Sequence, residues 1–268
     1  MKRFLTICAA ILAIAIAVQV GRIVNSSGML TSIEPHFEGT CTSITGVTGA
    51  EDITIDHQAR YAYISANDRR AAATGRSVQG GIYGLDLTNS SAKPILLSGD
   101  YADSFHPHGI SLYKGKDGKD RLFVINHVEQ GLSQVDLFEI EGPGRLAHRT
   151  SIRYAQMVAP NDLVAVGPDR FYATNDHGNP PGFMQALEDY LTIPLSNVTY
   201  FDGQEGRVFQ LCPGQLASID GLTDRGPGIL VQPGINDDVA VDGQQVGDPL
   251  RFVGQRLSDE PRGRLTVL

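Results

Sequence analysis

The chain is predicted to be an all-β protein of radially repeated sheets preceded by one apolar helix, and three observations predict it. A short grammar of polar pair, strand, turn and strand recurs along the sequence. Thirty glycines and fourteen prolines punctuate brief alternating runs, as expected of many short strands joined by turns. Helical periodicity is nearly confined to the N-terminus and to one segment at 183–191. A chain of 268 residues has room for one large domain or two small ones; the uniform strand pattern favours one.

Each copy of the grammar opens on a polar pair and ends its second strand at asparagine. The first runs from Glu51-Asp52 to Asn67, the second from His108-Gly109-Ile110 to Asn126-His127, and the third from Asn161-Asp162 to Asn175. A degenerate fourth opens on Asp237-Asp238. Copies spaced by about fifty residues indicate a β-propeller. In a propeller the innermost strand of each blade starts near the central channel, so Glu51, His108, Asn161 and Asp237 are expected to converge there. A single acid at a strand start is more often a turn or edge residue; the paired copies Glu51-Asp52 and Asn161-Asp162 reverse that judgement. Anionic oxygens gathered near one axis repel unless a cation neutralises them, and carboxylate and amide oxygens suit a hard cation such as calcium.

The elements follow in order. Lys2-Arg3 precede an apolar run from Phe4 to Val20 that Arg22 closes; residues 1–24 read as a signal peptide or a signal-anchor. The run is apolar on every face, which disfavours a buried N-terminal helix. Residues 25–48 are a polar lead-in, and 49–208 carry the blades. Within them, 69–81 is predicted as a loop, 81–87 and 93–97 as strands, and 114–120 as a solvated hairpin turn. Strands follow at 134–140 and 145–154. The segment 183–191 is predicted as a helix with Phe183, Leu187 and Tyr190/Leu191 on one face, lying as a lid over an end of the propeller. A hairpin around 202–206 joins 197–201 to 207–211. Beyond Val208 the alternation is lost, so 209–268 is a divergent remainder.

Formal net charge is −8, and the one basic cluster is Arg69-Arg70. Nucleic acid is thereby excluded as a partner; a cation and a neutral substrate are favoured. Of three cysteines, Cys8 lies in the apolar run, leaving a possible Cys41–Cys212 pair in an oxidising compartment. Asn25, Asn89 and Asn197 open glycosylation sequons. Serine-nucleophile and zinc-protease motifs are absent from the sequence. A lone histidine is usually structural, but His108 and His127 face each other across one hairpin. Such a pair is suited to draw a proton from water for attack on a carbonyl. His177 is placed at the mouth of the site; His36, His57 and His148 read as surface residues.

Phe105-His-Pro-His-Gly-Ile-Ser111, Val124-Ile-Asn-His127, Asn161-Asp-Leu-Val-Ala-Val-Gly-Pro168, Phe171-Tyr-Ala-Thr-Asn-Asp-His177 and Gly49-Ala-Glu-Asp-Ile53 closely resemble blocks of the serum paraoxonase/arylesterase family, in order, from about residue 35 to 208. The resemblance implies a six-bladed β-propeller holding two calcium ions and hydrolysing lactones and aryl esters. It matches Glu51 and Asn161 to ligands of the catalytic calcium, and Asp52, Asp162 and the Ile110 carbonyl to those of the structural one. His108 and His127 match its proton-transfer dyad. Asp237-Asp238 is similar to a later Asp-Asn ligand pair, with aspartate replacing asparagine. The stretch from Arg207 to Asp237 is too short for a full blade, and the late cysteine that partners the early one is missing. The expected fold is therefore an incomplete propeller of about four to five blades. The implied partners are a small lactone or ester and, through the N-terminus, a membrane or lipid surface. The implied location is secreted or extracytoplasmic, with or without retention of the anchor. Two alternatives stand beside this: an inactive propeller serving as a binding module, and a sugar-lactone hydrolase of the gluconolactonase superfamily.

Overall fold

The computed structural model describes residues 1–209, apart from 35–37, 40, 77 and 130–131. Among the described residues, those up to Ser43 and those from Ile44 onward belong to separate compact units. In the first, α1 (Lys2–Ser26) is a 25-residue helix with no buried residue. Its mean hydropathy of 2.4 and its length are enough to cross a membrane, as a signal sequence's also are.

Among the described residues of the second unit, twelve strands form three four-stranded antiparallel sheets, each a meander in sequence order. The first blade is β1 (Ala50–Asp56), β2 (Tyr61–Ala66), β3 (Gly81–Asp86) and the two-residue β4 (Ile95–Leu96), with the short α2 (Arg69–Ala73) between β2 and β3. The second is β5 (Pro107–Tyr113), β6 (Asp120–Glu129), β7 (Leu132–Gly142) and β8 (Arg145–Ile152). The third is β9 (Pro160–Ala165), β10 (Phe171–Asn175), β11 (Asn197–Phe201) and β12 (Gly206–Phe209), with α3 (Phe183–Leu191) between β10 and β11. The inner strands β1, β5 and β9 are neighbours in that order. This is an all-β, propeller-type fold. The expectation of four to five blades bears on residues 210–268, which lie outside the described residues.

Strand patterning explains how the blades stack. On β6, Leu122 and Val124 join a buried cluster with Tyr61, Tyr63, Ile82, Phe105, Ile110 and Phe138 of the first two blades. The intervening Phe123 and Ile125 face the other way, into a cluster with Leu163, Phe171, Ala173 and Phe201 of the third. A strand buried on both faces has to be apolar at successive positions rather than alternating. Packing each of these large side chains away from water contributes about 1.5–3 kcal/mol. In a chain without tryptophan, stacked rings fill the wedge: Phe171 and Phe201 lie 5.5 Å apart, and Tyr154 and Phe201 5.4 Å. Lys114 ties the first two blades at the far ends of their inner strands, donating to the buried Asp56 carboxylate at 2.9 Å and to Asp120.

Two segments differ from the sequence expectation. Residues 69–73 form a helical turn, because the Asp68 carboxylate caps it by accepting from the Ala71 N–H at 2.9 Å. In α3 the two ends of the apolar face are turned to solvent, Phe183 being 77% exposed and Tyr190 71%, while Leu187 is half-buried. The buried residue is Glu188, whose carboxylate accepts from the Gly178 N–H at 2.8 Å and from Asn179 Nδ2 at 3.0 Å. Two local hydrogen bonds to a carboxylate thus orient the helix against its apolar periodicity. Asn197 sits within the third blade, its carboxamide bonded to Asn175, whereas Asn89 is exposed.

Candidate active site

The polar pairs are displayed by one backbone device used three times. In each inner strand three residues span the distance that two cover on the partner: Ala50 to Ile53 opposite Ala66 to Ile64, Pro107 to Ile110 opposite Asn126 to Val124, and Pro160 to Leu163 opposite Asn175 to Ala173. Each bulge therefore falls on the polar pair itself, at 51–52, 108–109 and 161–162. A bulge leaves an extra residue outside the ladder and re-aims its side chains.

Blades one and three complete the device identically. The Asp52 N–H donates to Ser65 Oγ at 3.1 Å and the Asp162 N–H to Thr174 Oγ1 at 3.2 Å. Each aspartate Oδ1 then accepts from the next backbone N–H, Ile53 and Leu163, at 2.7 Å. A hydroxyl opposite the bulge thus takes the amide that the ladder leaves over. In blade two the opposite residue is Ile125, and the second bulge position is Gly109.

These bulges meet. Asp52 Oδ2 accepts from the Ile110 N–H at 2.7 Å, linking blade one to blade two. On the other side of the same segment, a Cβ on Gly109 would lie 2.5 Å from Asp162 Oδ1 and 2.7 Å from the Asn161 carbonyl oxygen. Glycine is needed there because the Asn161-Asp162 segment of β9 closes on its backbone and leaves no room for a Cβ. Asp52 and Asp162 thus flank Gly109-Ile110 from opposite sides. Oxygens from carboxylates, the Asn161 carboxamide and main-chain carbonyls are the donor types calcium takes, and in kind they fit it. Among the described residues no three His, Cys, Asp or Glu side chains converge as a metal cluster, so a site would rest on this mixed set. Asp237 and Asp238 lie outside the described residues.

His108 is held at both ring nitrogens. Its Nδ1 lies 2.8 Å from the Asn161 carbonyl oxygen, which can only accept, so Nδ1 carries the proton. Glu51 Oε1 is 3.4 Å from the same nitrogen. Nε2 therefore presents its lone pair, and Arg69 Nη1 donates to it at 3.3 Å. His127 packs edge-to-face on His108, with centroids 5.2 Å apart, and its Nδ1 is 2.9 Å from Ser133 Oγ. Burial first, and then His108, His106 and Arg69, push the His127 imidazolium down to about 4. His106 lies alongside, its Nδ1 3.3 Å from Asn67 Oδ1. His177 is engaged by α3, through Asp189 at 2.8 Å and Gln185 at 3.0 Å. His148 is exposed, stacked edge-on to Tyr101.

The sequence-derived residues Glu51, His108, His127 and Asn161 are thus brought together, as are Asp52 with Ile110 and Asp162 with Gly109. Sequence reasoning missed Arg69 and Gly109 as parts of the site. Arg69 stood out as half of the Arg69-Arg70 cluster, and Gly109 occupied the second position of the polar pair.

Radial four-stranded blades whose inner strands converge on histidines and oxygen donors define a β-propeller with a site at the strand starts. The arylesterase family model matches residues 40–218, and the chain belongs to that family. It is 36% identical over 209 residues to serum paraoxonase/arylesterase 2 of Gallus gallus, covering 74% of this chain and 58% of that protein. It is 33% identical over 187 residues to human serum paraoxonase/arylesterase 1, covering 67% and 52%. With human serum paraoxonase/arylesterase 2 it shares 37% over 133 residues, covering 48% and 37%. The chain spans about half the length of the curated relatives it matches.

Proposed function

We propose that this chain is a calcium-dependent hydrolase of lactones and aryl esters, in which histidine-activated water attacks the ester carbonyl. The observation that carries this is the tautomer of His108: Nδ1–H is committed to the Asn161 carbonyl beside Glu51, which leaves the Nε2 lone pair, facing Arg69, as the proton acceptor. Membership of the arylesterase family supports the reaction class. Glu51 and Asn161 are assigned to a catalytic calcium; Asp52, Asp162 and the Ile110 carbonyl to a structural one. Glu51 and Asn161 would hold this ion, which when bound would supply Lewis-acid polarisation of the substrate carbonyl. His108 Nε2 accepts the proton of the attacking water. The resulting imidazolium is stabilised by Glu51 Oε1 and by the Asn161 carbonyl oxygen. His127, kept neutral by burial, packs against the His108 ring and holds its plane while contributing no competing positive charge. His108 then returns the proton to the leaving alkoxide or phenoxide.

The apolar, exposed α1 supports export to a secreted or extracytoplasmic location, with association to a membrane or lipid surface where the helix is retained. Turnover of phenyl acetate and of δ-valerolactone by the full chain, with and without a calcium chelator, tests the assignment. Hydrolysis that chelation removes and calcium restores is expected. Turnover indifferent to chelation sinks the metal mechanism, and a folded, calcium-loaded protein that hydrolyses neither compound leaves the binding-module alternative.

A further inference from the structure

We propose that Arg69 sets the substrate class of this site, selecting esters and lactones that carry a carboxylate, and that taking up this carboxylate uncovers the base. The proposal rests on the hydrolase reading above. Arg69 is placed firmly at its backbone. The Asp68 side chain caps the turn through the Ala71 N–H, and the Arg69 N–H donates to the Asn67 carbonyl at 2.8 Å. From there the guanidinium reaches Nε2 of His108 at 3.3 Å. Because Nδ1 is the protonated nitrogen, the arginine covers the one lone pair that can accept a proton.

That resting partner is a neutral imidazole. Among the described residues the arginine ion pairs belong to Arg121, Arg145, Arg149 and Arg207, and not to Arg69. A guanidinium offers five N–H donors in a fork that matches a carboxylate, and a charge-assisted pair is stronger than a contact with a neutral ring. A carboxylate arriving at the mouth therefore draws Arg69 off His108. Substrate capture and exposure of Nε2 become one side-chain movement. A neutral ester gives the guanidinium no such partner and has to displace it into water. In a chain of net charge −8, an exposed cation beside His108 also offsets the repulsion an anionic substrate meets.

The test uses the full chain with calcium and a matched pair, 4-acetoxybenzoate and its methyl ester. Wild type is expected to favour the carboxylate in kcat/KM. Arg69→Gln should lower the ratio of the two kcat/KM values about tenfold, the scale of one charge-assisted hydrogen bond, with Arg69→Lys in between and the change expressed mainly in KM. An unchanged ratio overturns the proposal, including the case in which both rates fall together, since that outcome makes Arg69 only a support for His108. Titration with 4-hydroxybenzoate separates this from the hydrolase reading. Saturable binding that Arg69→Gln weakens upholds the anion site even if neither ester turns over, and equal binding to both proteins refutes it.

Discussion

His108 is the side chain on which most of the site's geometry closes: Asn161, Glu51, Arg69 and His127 all address its ring. Replacing it with glutamine keeps a polar group of similar reach but removes the base. Ester turnover is expected to fall by about 10²–10⁴-fold, with far-UV circular dichroism unchanged; retention of most activity would remove His108 from the mechanism. His127 makes a different prediction, about stability. Its imidazolium lies at about 4 in the folded chain against an ordinary 6.5, so between those values the unfolded chain binds more protons than the folded one. The stability from a neutral His127 is therefore complete above about pH 6.5 and declines as pH falls toward 4. His127→Gln should flatten this part of the profile when melting temperatures at pH 7.5 and 5 are compared, and an identical slope in the variant counts against it. These two histidines were legible in the sequence because both end or begin strands of one hairpin. Arg69 was not. Its contact spans 39 residues and depends on Asp68 starting a helical turn within a segment whose composition reads as loop.

At the scale of the element, the recurring bulge is the device that turns a strand start into a site. Thr174 supplies the hydroxyl that receives the displaced Asp162 N–H and returns toward the Asp162 carbonyl at 3.3 Å. Thr174→Val keeps the shape and leaves that amide without its acceptor in a part-buried position, so about 1–3 kcal/mol of destabilisation is expected by chemical denaturation. A value near zero means water replaces the hydroxyl, and the bulge needs no plug. The asparagines ending the second strands form a related clasp. Asn126 holds the His106 N–H and the Ser104 carbonyl, and Asn175 holds the Ala159 N–H and the Gln156 carbonyl. Asn67, in the same position of blade one, addresses the His106 ring. The repeat was visible in the sequence as a terminal asparagine in every copy, but its purpose was not, because the partners are backbone groups some twenty residues upstream. The α3 segment shows the opposite limit. Its periodicity located the helix at 183–191, yet which face turns inward depends on Glu188 finding two nearby donors, and hydrophobic spacing carries no information about that.

Across the whole molecule, the blades are joined near the strand starts by polar links as well as by the apolar clusters between sheets. Asp52 to the Ile110 N–H joins blades one and two, and His108 to the Asn161 carbonyl joins two and three. Ala165, through its N–H to Ser111 Oγ at 3.1 Å, adds a second link between two and three. The carboxylates of Asp52 and Asp162 close on Gly109-Ile110 from both sides, so any cation held there acts on three blades at once. A ligand that binds only the folded state raises stability in proportion to the logarithm of its concentration over its dissociation constant. Calcium should therefore raise the melting temperature of the full chain in a concentration-dependent way, and chelation should lower it. Gly109→Ala provides the internal control. The added methyl overlaps Asp162 Oδ1 and the Asn161 carbonyl, so the strands must part, at a cost of about 1–3 kcal/mol, and the donors lose their spacing. The variant is expected to start from a lower melting temperature and to gain little from calcium. If the variant responds to calcium as fully as wild type, the ion is bound elsewhere and Asp52, Asp162 and Ile110 are not its ligands. If neither protein responds, the inner strands are held by their hydrogen bonds and packed faces alone.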